Sequence, residues 1–419
     1  MTQREFAIEV VETLQAAGYQ ALWAGGCVRD QMLGCDPKDY DVATDAHPDI
    51  VRKLFGKNRT LPIGASFGVI TVLGPKVIIN VENDANAEGG TQTVQHVIEV
   101  ATFRRDTGYS DGRRPEGVEF TDAREDAIRR DFTINGMFFD PIKDEVIDYV
   151  GGREDLDSKV IRAIGNPHER IEEDKLRMLR GIRFASTFDF NIDPNTLAAI
   201  QNHAGEIGVV SGERIGAEMR RMLANSKRAS AVQLLRKSKL LAEVVPEGLS
   251  LCLDDQNWNC ILERLARLDG DFESAAASLL EPIILQQGTA GVFQRWKLSN
   301  SERKSIQWIC KHWRSLDQAT ELPWSQVQPL ILHVSAKRAL AVADSWNVEP
   351  SQGVAFCREC LKWPVEKLNP KPFLDGADLI SLGIKQGPKF KQILDAVRAA
   401  QLDRKIETIE QAKQFARAY

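Results

Sequence analysis

Ala21-Leu22-Trp23-Ala24-Gly25-Gly26-Cys27-Val28-Arg29-Asp30 and, a few residues on, Lys38-Asp39-Tyr40-Asp41-Val42-Ala43-Thr44 are the stretches on which the fold turns. The run Ala21–Ala24, apolar and followed by two glycines, reads as a buried strand, after which a short helix begins. Without Cβ atoms the backbone of Gly25 and Gly26 can approach a phosphate closely, and the helix N-terminus adds free N–H groups and a partial positive charge. Arg29 can then clamp a phosphate oxygen. A plain tight turn is the alternative for the glycines. Asp39 and Asp41 stand two apart on a second expected strand, where a period of two points both side chains to one face. Two carboxylates there can share a divalent ion. Hard oxygen donors with few other ligands suit Mg²⁺, which keeps its waters and takes phosphate oxygens as further ligands. A lone D-x-D is common surface decoration; the glycines upstream give this one its meaning.

Outward from this centre, residues 3 to 18 carry apolar positions at helical spacing (Phe6, Ile8, Val11, Leu14), with Gly18 closing the helix. Strand-like segments recur at Asp39–Ala43, Phe67–Val72 and Val97–Phe103, and Glu82–Gln95 reads as a loop between strands. From about residue 165 the pattern is helical almost to Tyr419, broken at Pro246-Glu247-Gly248, Glu349–Gly353 and Lys367–Lys371. The expectation is a mixed α/β head on a long helical body, with no internal repeat.

A chain of 419 residues, 43% hydrophobic and 27% charged, is ordinary globular material, long enough for several domains. No apolar run approaches the roughly twenty residues of a membrane span, so no membrane partner is expected and a soluble, cytoplasmic protein is. Seven scattered cysteines do not make a disulfide framework, and the Cys357/Cys360 pair lacks a second Cys/His pair at zinc spacing. The net charge of −5 leaves room for local basic patches. Between Ser211 and Leu240 lie Arg214, Arg220, Arg221, Lys227, Arg228, Arg236, Lys237 and Lys239 against only Glu213 and Glu218. Arg220, Arg221, Lys227 and Arg228 are the candidate RNA contacts; a solvated helix face is the alternative.

The glycine stretch, Lys38–Thr44, and Arg129-Arg130-Asp131-Phe132-Thr133-Ile134-Asn135-Gly136 closely resemble the head motifs of class II CCA-adding tRNA nucleotidyltransferases and bacterial poly(A) polymerases. The resemblance continues through Glu173–Ala185 and Glu213–Met219, and reaches Leu382-Gly383-Ile384-Lys385-Gln386-Gly387-Pro388, where Gln386 replaces the usual proline. It is weak between 250 and 370. It implies an α+β fold: a polymerase-beta-like nucleotidyltransferase head over 1–150, a helical neck over 151–245 that selects nucleotides and binds RNA, and a helical body and tail over 246–419 that binds tRNA. It further implies that Asp39 and Asp41 hold the metals in an attack of the tRNA 3′-hydroxyl on the α-phosphorus of CTP or ATP. Gly26, Arg29 and Arg130 match positions that bind the incoming nucleotide. Glu99 is the candidate third acid, with a structural pair to Arg104 as its alternative. Asp131 is expected to be part of a salt-bridge cluster.

Thr102–Phe120 resembles the flexible loop of complete CCA-adding and A-adding enzymes. Gly64-Ala65-Ser66-Phe67 stands where poly(A) polymerases carry Gly-Arg-Arg-Phe. Together these favour full CCA addition over CC-only addition and polyadenylation; an inactive RNA-binding protein and a small-molecule nucleotidyltransferase are the rivals, and no protein partner is expected. Asp174 and Arg177, three apart on an expected helix, would be neighbours on one face. A carboxylate facing an amino donor and a guanidinium facing a ring nitrogen fit cytosine and adenine alike, whereas guanine and uracil reverse the pattern. A plain helix ion pair is the alternative. Arg180 continues the spacing, and Arg183, turned off that face, is assigned to phosphate or ribose.

Overall fold

The computed structural model describes residues 1–81, 90–109, 115–248, 255–287 and 290–419. Helix α1 (Gln3–Ala16) is opened by a reciprocal Thr2/Glu5 capping box and buries Phe6, Val10, Val11 and Leu14. It packs on a seven-stranded mixed sheet in the order β3-β4-β5-β2-β1-β8-β9. The strands are β1 (Ala21–Ala24), β2 (Asp41–Thr44), β3 (Thr60–Leu61), β4 (Val69–Val81), β5 (Gly90–Thr102), β8 (Phe138–Asp140) and β9 (Glu145–Ile147). All four residues of β1 are buried because it is central, paired antiparallel with both β2 and β8. Helix α2 (Gly26–Met32) follows it directly. Strands β2 and β5 run parallel, with Asp41 opposite Glu99.

The head departs from the sequence expectation at three places. Asp39 lies in the bend before β2 rather than in the strand, so alternation does not fix its direction. The stretch read as a loop over Glu82–Gln95 is partly sheet: Gly90 onward belongs to β5, paired with a long β4, and 82–89 lie outside the described residues. Its Thr, Val and Gln favour a pleated hairpin as readily as a loop. Thr102–Phe120 is likewise mostly two paired antiparallel strands, β6 (Arg104–Tyr109) with β7 (Pro115–Phe120), and 110–114 lie outside the described residues.

Helices α6 (Pro167–Glu173), α7 (Leu176–Phe188) and α8 (Pro194–His203) follow. The chain divides into two compact units, 1–215 with 234–243, and 216–233 with 244–419. The second is helical. Asn300–Asp317, capped by Ser299 and Glu302, packs against Phe272–Gln287 and Ala336–Trp346. A smaller cluster of Leu379, Ile393, Val397, Ile406 and Ala412 gathers the last helices. Among the described residues no helix is long and apolar enough to cross a membrane. Cys357 and Cys360 are buried, and burial pushes the Cys357 thiol up to about 12, so it packs as a neutral apolar group.

Candidate active site

Gly25 ends β1 at φ 74° and ψ −124°, a conformation that glycine adopts without penalty. A Cβ there would stand 3.0 Å from a guanidinium nitrogen of Arg130. This turn, the start of α2 and the beginning of α7 line a cavity of about 520 Å³. Its size lies within the roughly 300–1,000 Å³ usual for small-molecule sites.

One wall is made of arginines, each held by its neighbours. Arg29 is buried; it donates to Asp30 (2.9 and 2.7 Å) and to the Asn135 side-chain oxygen (2.6 Å), and lies over the Phe188 ring at 4.4 Å. Arg130 and Arg129 share buried Asp126, Arg130 at 3.1 and 2.9 Å and Arg129 at 2.9 and 2.6 Å. Burial works against the Asp126 charge, but the two guanidiniums hold its carboxyl below the usual range. Arg180 binds Asp131 at 2.7 and 2.6 Å, and Asp131 also accepts from Asn135 and from the Phe132 N–H. Asp131, too, stays below the ordinary carboxylate range despite burial. It is the ion-pair centre that the Arg-Arg-Asp run suggested.

A second group at the cavity is acidic. Asp41 lines the cavity, Glu99 is its direct register partner on β5, and Asp39 precedes it by two residues. Among the described residues no side chain donates to any of these three carboxylates, and Arg104, which could have paired with Glu99, reaches the Phe67 carbonyl instead. Asp41 is open to solvent at one side. Crowding by the protein, then the charges of Glu99 and Asp39, push it up to about 6, with Arg130 pulling the other way. Among the described residues no three acid, His or Cys side chains close into a metal cage.

Asp174 and Arg177 both line the cavity, but not as neighbours on one helix. Asp174 sits between α6 and α7 with extended backbone (φ −147°, ψ 104°), so the three-residue helical spacing does not apply to it. Its carboxylate is gripped by Arg214 at 3.1 and 2.6 Å and caps the Leu176 N–H at 3.0 Å. Arg177 donates instead to the Arg170 carbonyl (2.7 Å), Glu173 (2.5 Å) and the Arg129 carbonyl (3.1 Å). The ion pair between them is therefore not formed. Arg183 lies off the cavity, its guanidinium 4.0 Å from the Phe184 ring.

The candidate RNA band is less uniform than its spacing suggests. Arg221 and Lys227 face solvent, and Arg220 is bound by Glu302 at 2.6 and 2.9 Å. Arg228 is 4% exposed and donates at 2.8 Å to the carbonyls of Asn225, Leu268 and Gly270. It is an internal strut and not a surface cation, because carbonyls just past the ends of helices Gly212–Ala224 and Asp255–Arg267 captured it. Sequence reasoning singled out neither Asn135 nor Arg214, although both stand in the motifs it quoted; a polar residue beside a candidate arginine was the available signal.

Residues 21–162 match the family described as Poly A polymerase head domain, and 189–251 the one described as probable RNA and SrmB-binding site of polymerase A. The CCA-adding enzyme of Enterococcus faecalis is 40% identical over 333 residues, covering 78% of this chain and 73% of that protein. That of Levilactobacillus brevis is 30% identical over 411 residues, covering 93% and 91%. Among solved structures, the Bacillus stearothermophilus CCA-adding enzyme in complex with CTP is 26% identical, with TM-score 0.77 over 100% of this chain and 98% of that one. With a mixed-sheet head, a helical remainder and relatives matched along nine-tenths of its length, the chain belongs to the CCA-adding enzyme family and is a tRNA nucleotidyltransferase.

Proposed function

We propose that this chain builds and repairs the CCA end of tRNA in the cytoplasm, adding CMP and AMP from CTP and ATP to the RNA 3′-hydroxyl and releasing pyrophosphate. The observation that carries the reading is an unpartnered carboxylate edge beside a cavity walled by preset arginines. Asp39 and Asp41, with Glu99 as third acid, suit Mg²⁺ in kind: they are oxygen donors that accept from no side chain among the described residues, and Asp41, pushed up to about 6 with only Arg130 pulling the other way, is relieved by a hard cation. When bound, the metal supplies Lewis acidity toward the phosphate and the attacking hydroxyl.

The chain's own residues do the rest. Gly25 and Gly26 let the triphosphate approach the start of α2, and Arg29 and Arg130 orient it, since groups already fixed by Asn135 and Asp126 need no reorganisation. Asp174 and Arg177 read the base. The Leu176 N–H and Arg214 take both lone pairs of Asp174 Oδ1 and Arg214 takes one of Oδ2, which leaves Oδ2 a lone pair for an amino group. Three of the five Arg177 donors are engaged, and the others remain for a ring nitrogen. Arg180 braces this wall through Asp131, and Arg183 contacts phosphate or ribose. Residues 1–150 act as catalytic head, 151–245 as selecting neck and 246–419 as tRNA-binding body and tail, with Arg221 and Lys227 on the RNA path.

The test is to offer tRNA ending at the discriminator base, at C and at CC, with CTP and ATP separately and together. Extensions that stop at CCA are expected. Long A tails on unrelated RNA would instead mark a poly(A) polymerase, A-only extension of CC ends an A-adding enzyme, and no extension an inactive RNA-binding protein.

A further inference from the structure

A cavity of about 640 Å³ lies wholly within the second unit, where the candidate site contributes nothing. Trp324, Phe356 and Trp363 make its apolar wall; the two indoles are 5.3 Å apart and tilted by 47°, and Phe356 meets both edge-on. All three rings are half-buried and present part of their surface to the cavity. Lys367 lies 3.7 Å over the Trp363 ring, and Arg404 and Lys405 complete the rim, Lys405 also pairing loosely with Asp403 at 3.5 Å. Arg404 stands in left-handed backbone (φ 58°), and among the described residues no carboxylate meets its guanidinium. Two acids also line the cavity. Glu366 is exposed at the mouth, whereas Asp403 is spent: it accepts from the N–H and hydroxyl of Ser325 at 2.9 and 3.0 Å and so fills the start of helix Trp324–Ile331.

We propose that this cavity holds one unpaired base of the RNA substrate, stacked on the Trp324/Trp363 wall with its backbone phosphate at Arg404 and Lys405. The inference rests on the tRNA reading above and extends it to a particular nucleotide contact. Flat aromatic surface beside a small cationic surplus is the chemistry of base stacking with phosphate contact. The indoles already touch each other, so the base lies against the wall and not between the rings. A surplus of one positive charge, with no glycine cradle and a helix start already occupied by Asp403, suits a phosphodiester and is a poor site for a free triphosphate.

The experiment measures binding of labelled tRNA to the full chain across a salt series. Trp363→Ala combined with Trp324→Ala weakens binding about tenfold or more, and Trp363→Phe, which keeps a stacking face, largely restores it. Arg404→Gln, at an exposed position, lowers the log–log salt slope by about 0.7–0.9 and carries the test if the indole variants fail to fold. Parental tRNA affinity and slope in both Trp363→Ala and Arg404→Gln would overturn the proposal. So would free CMP or AMP protecting the indoles from quenching as effectively as tRNA does. A parent protein that neither binds nor extends tRNA would instead defeat the functional reading itself.

Discussion

Around the head cavity the lining arginines are met: Arg29 by Asp30 and Asn135, Arg130 by Asp126, Arg180 by Asp131, Arg177 by Glu173 and two carbonyls. By contrast, Asp39, Asp41 and Glu99 stand close together and no side-chain donor among the described residues reaches them. The paired wall is already organised, so its remaining donors meet a ligand without first being ordered. The acidic group keeps like-charge repulsion that Arg130 offsets in part and an arriving cation relieves further. Charge balance thus separates the groups that orient a substrate from the groups that do chemistry with a metal.

The sharpest way to break that division is to remove the unpaired side. Asp41→Ala and Asp39→Ala are each expected to lower nucleotide addition about a thousandfold, several kcal/mol of lost transition-state stabilisation. The double variant should be hardly worse than either alone, because both destroy one site. Single-turnover extension of tRNA measures this, and tRNA binding measured beside it should survive. Incorporation within tenfold of the parent would dissolve the division.

On the paired side the expected losses are smaller and of a different kind. Asp174→Ala and Arg177→Ala should shrink the preference for CTP and ATP over UTP and GTP by about ten- to a hundredfold, the worth of roughly 1–3 kcal/mol in a bidentate base contact. Incorporation of all four nucleotides reads it out. A variant that is slower yet equally selective would reduce both residues to structural supports.

Acid should distinguish the two groups as well. Burial and the neighbouring acids push Asp41 up to about 6 in the metal-free protein, so protons compete with the metal for it: addition at limiting Mg²⁺ should fall as the pH drops below about 6, and added Mg²⁺ should move that fall to lower pH. The linkage sign follows from a folded pKa above the ordinary 3.8: between about 4 and 6 the metal-free fold binds more protons than the unfolded chain, and its stability falls as pH rises through that window. Asp41→Asn should therefore raise the melting temperature of the metal-free protein at pH 7 and leave it unchanged at pH 3. Equal melting temperatures at pH 7 would mean that the carboxylate is not strained.

These contrasts were unequally legible in the sequence. Ala21–Ala24, the glycine turn and the Asp-x-Asp could be read because composition and spacing alone decide them. The Asp174/Arg177 geometry could not: a helical spacing was the natural reading, but Asp174 breaks the helix to cap Leu176 and to take Arg214, a partner forty residues on. Glu99 could be named as a candidate acid from its strand-like run, but its place opposite Asp41 depends on a parallel pairing between strands distant in the sequence. The Glu82–Gln95 segment misled because Asn, Gly and Thr suit both a turn and the hairpin that Gly90 begins.

The same distinction between spent and available charge extends to the basic band, where the effects are smallest. Arg228 looks like its neighbours in sequence, yet burial holds its pKa below the usual arginine value and its guanidinium is consumed by three carbonyls. Arg228→Ala should cost about 2–4 kcal/mol of stability by leaving those acceptors unmet, and should leave the salt dependence of tRNA binding as it was. Arg221 and Lys227 face solvent, and Arg221 pairs with Glu218 at 3.0 Å. Replacing both by Gln should change stability by less than about 0.5 kcal/mol and flatten the log–log salt slope by roughly 0.7–0.9 for each lost phosphate contact. Thermal melts and a salt titration of tRNA binding on the same preparations decide it. If Arg228→Ala flattened the slope and the Gln pair did not, exposure would be no guide to which cations grip RNA, and the pairing seen at the head cavity would lose its meaning here.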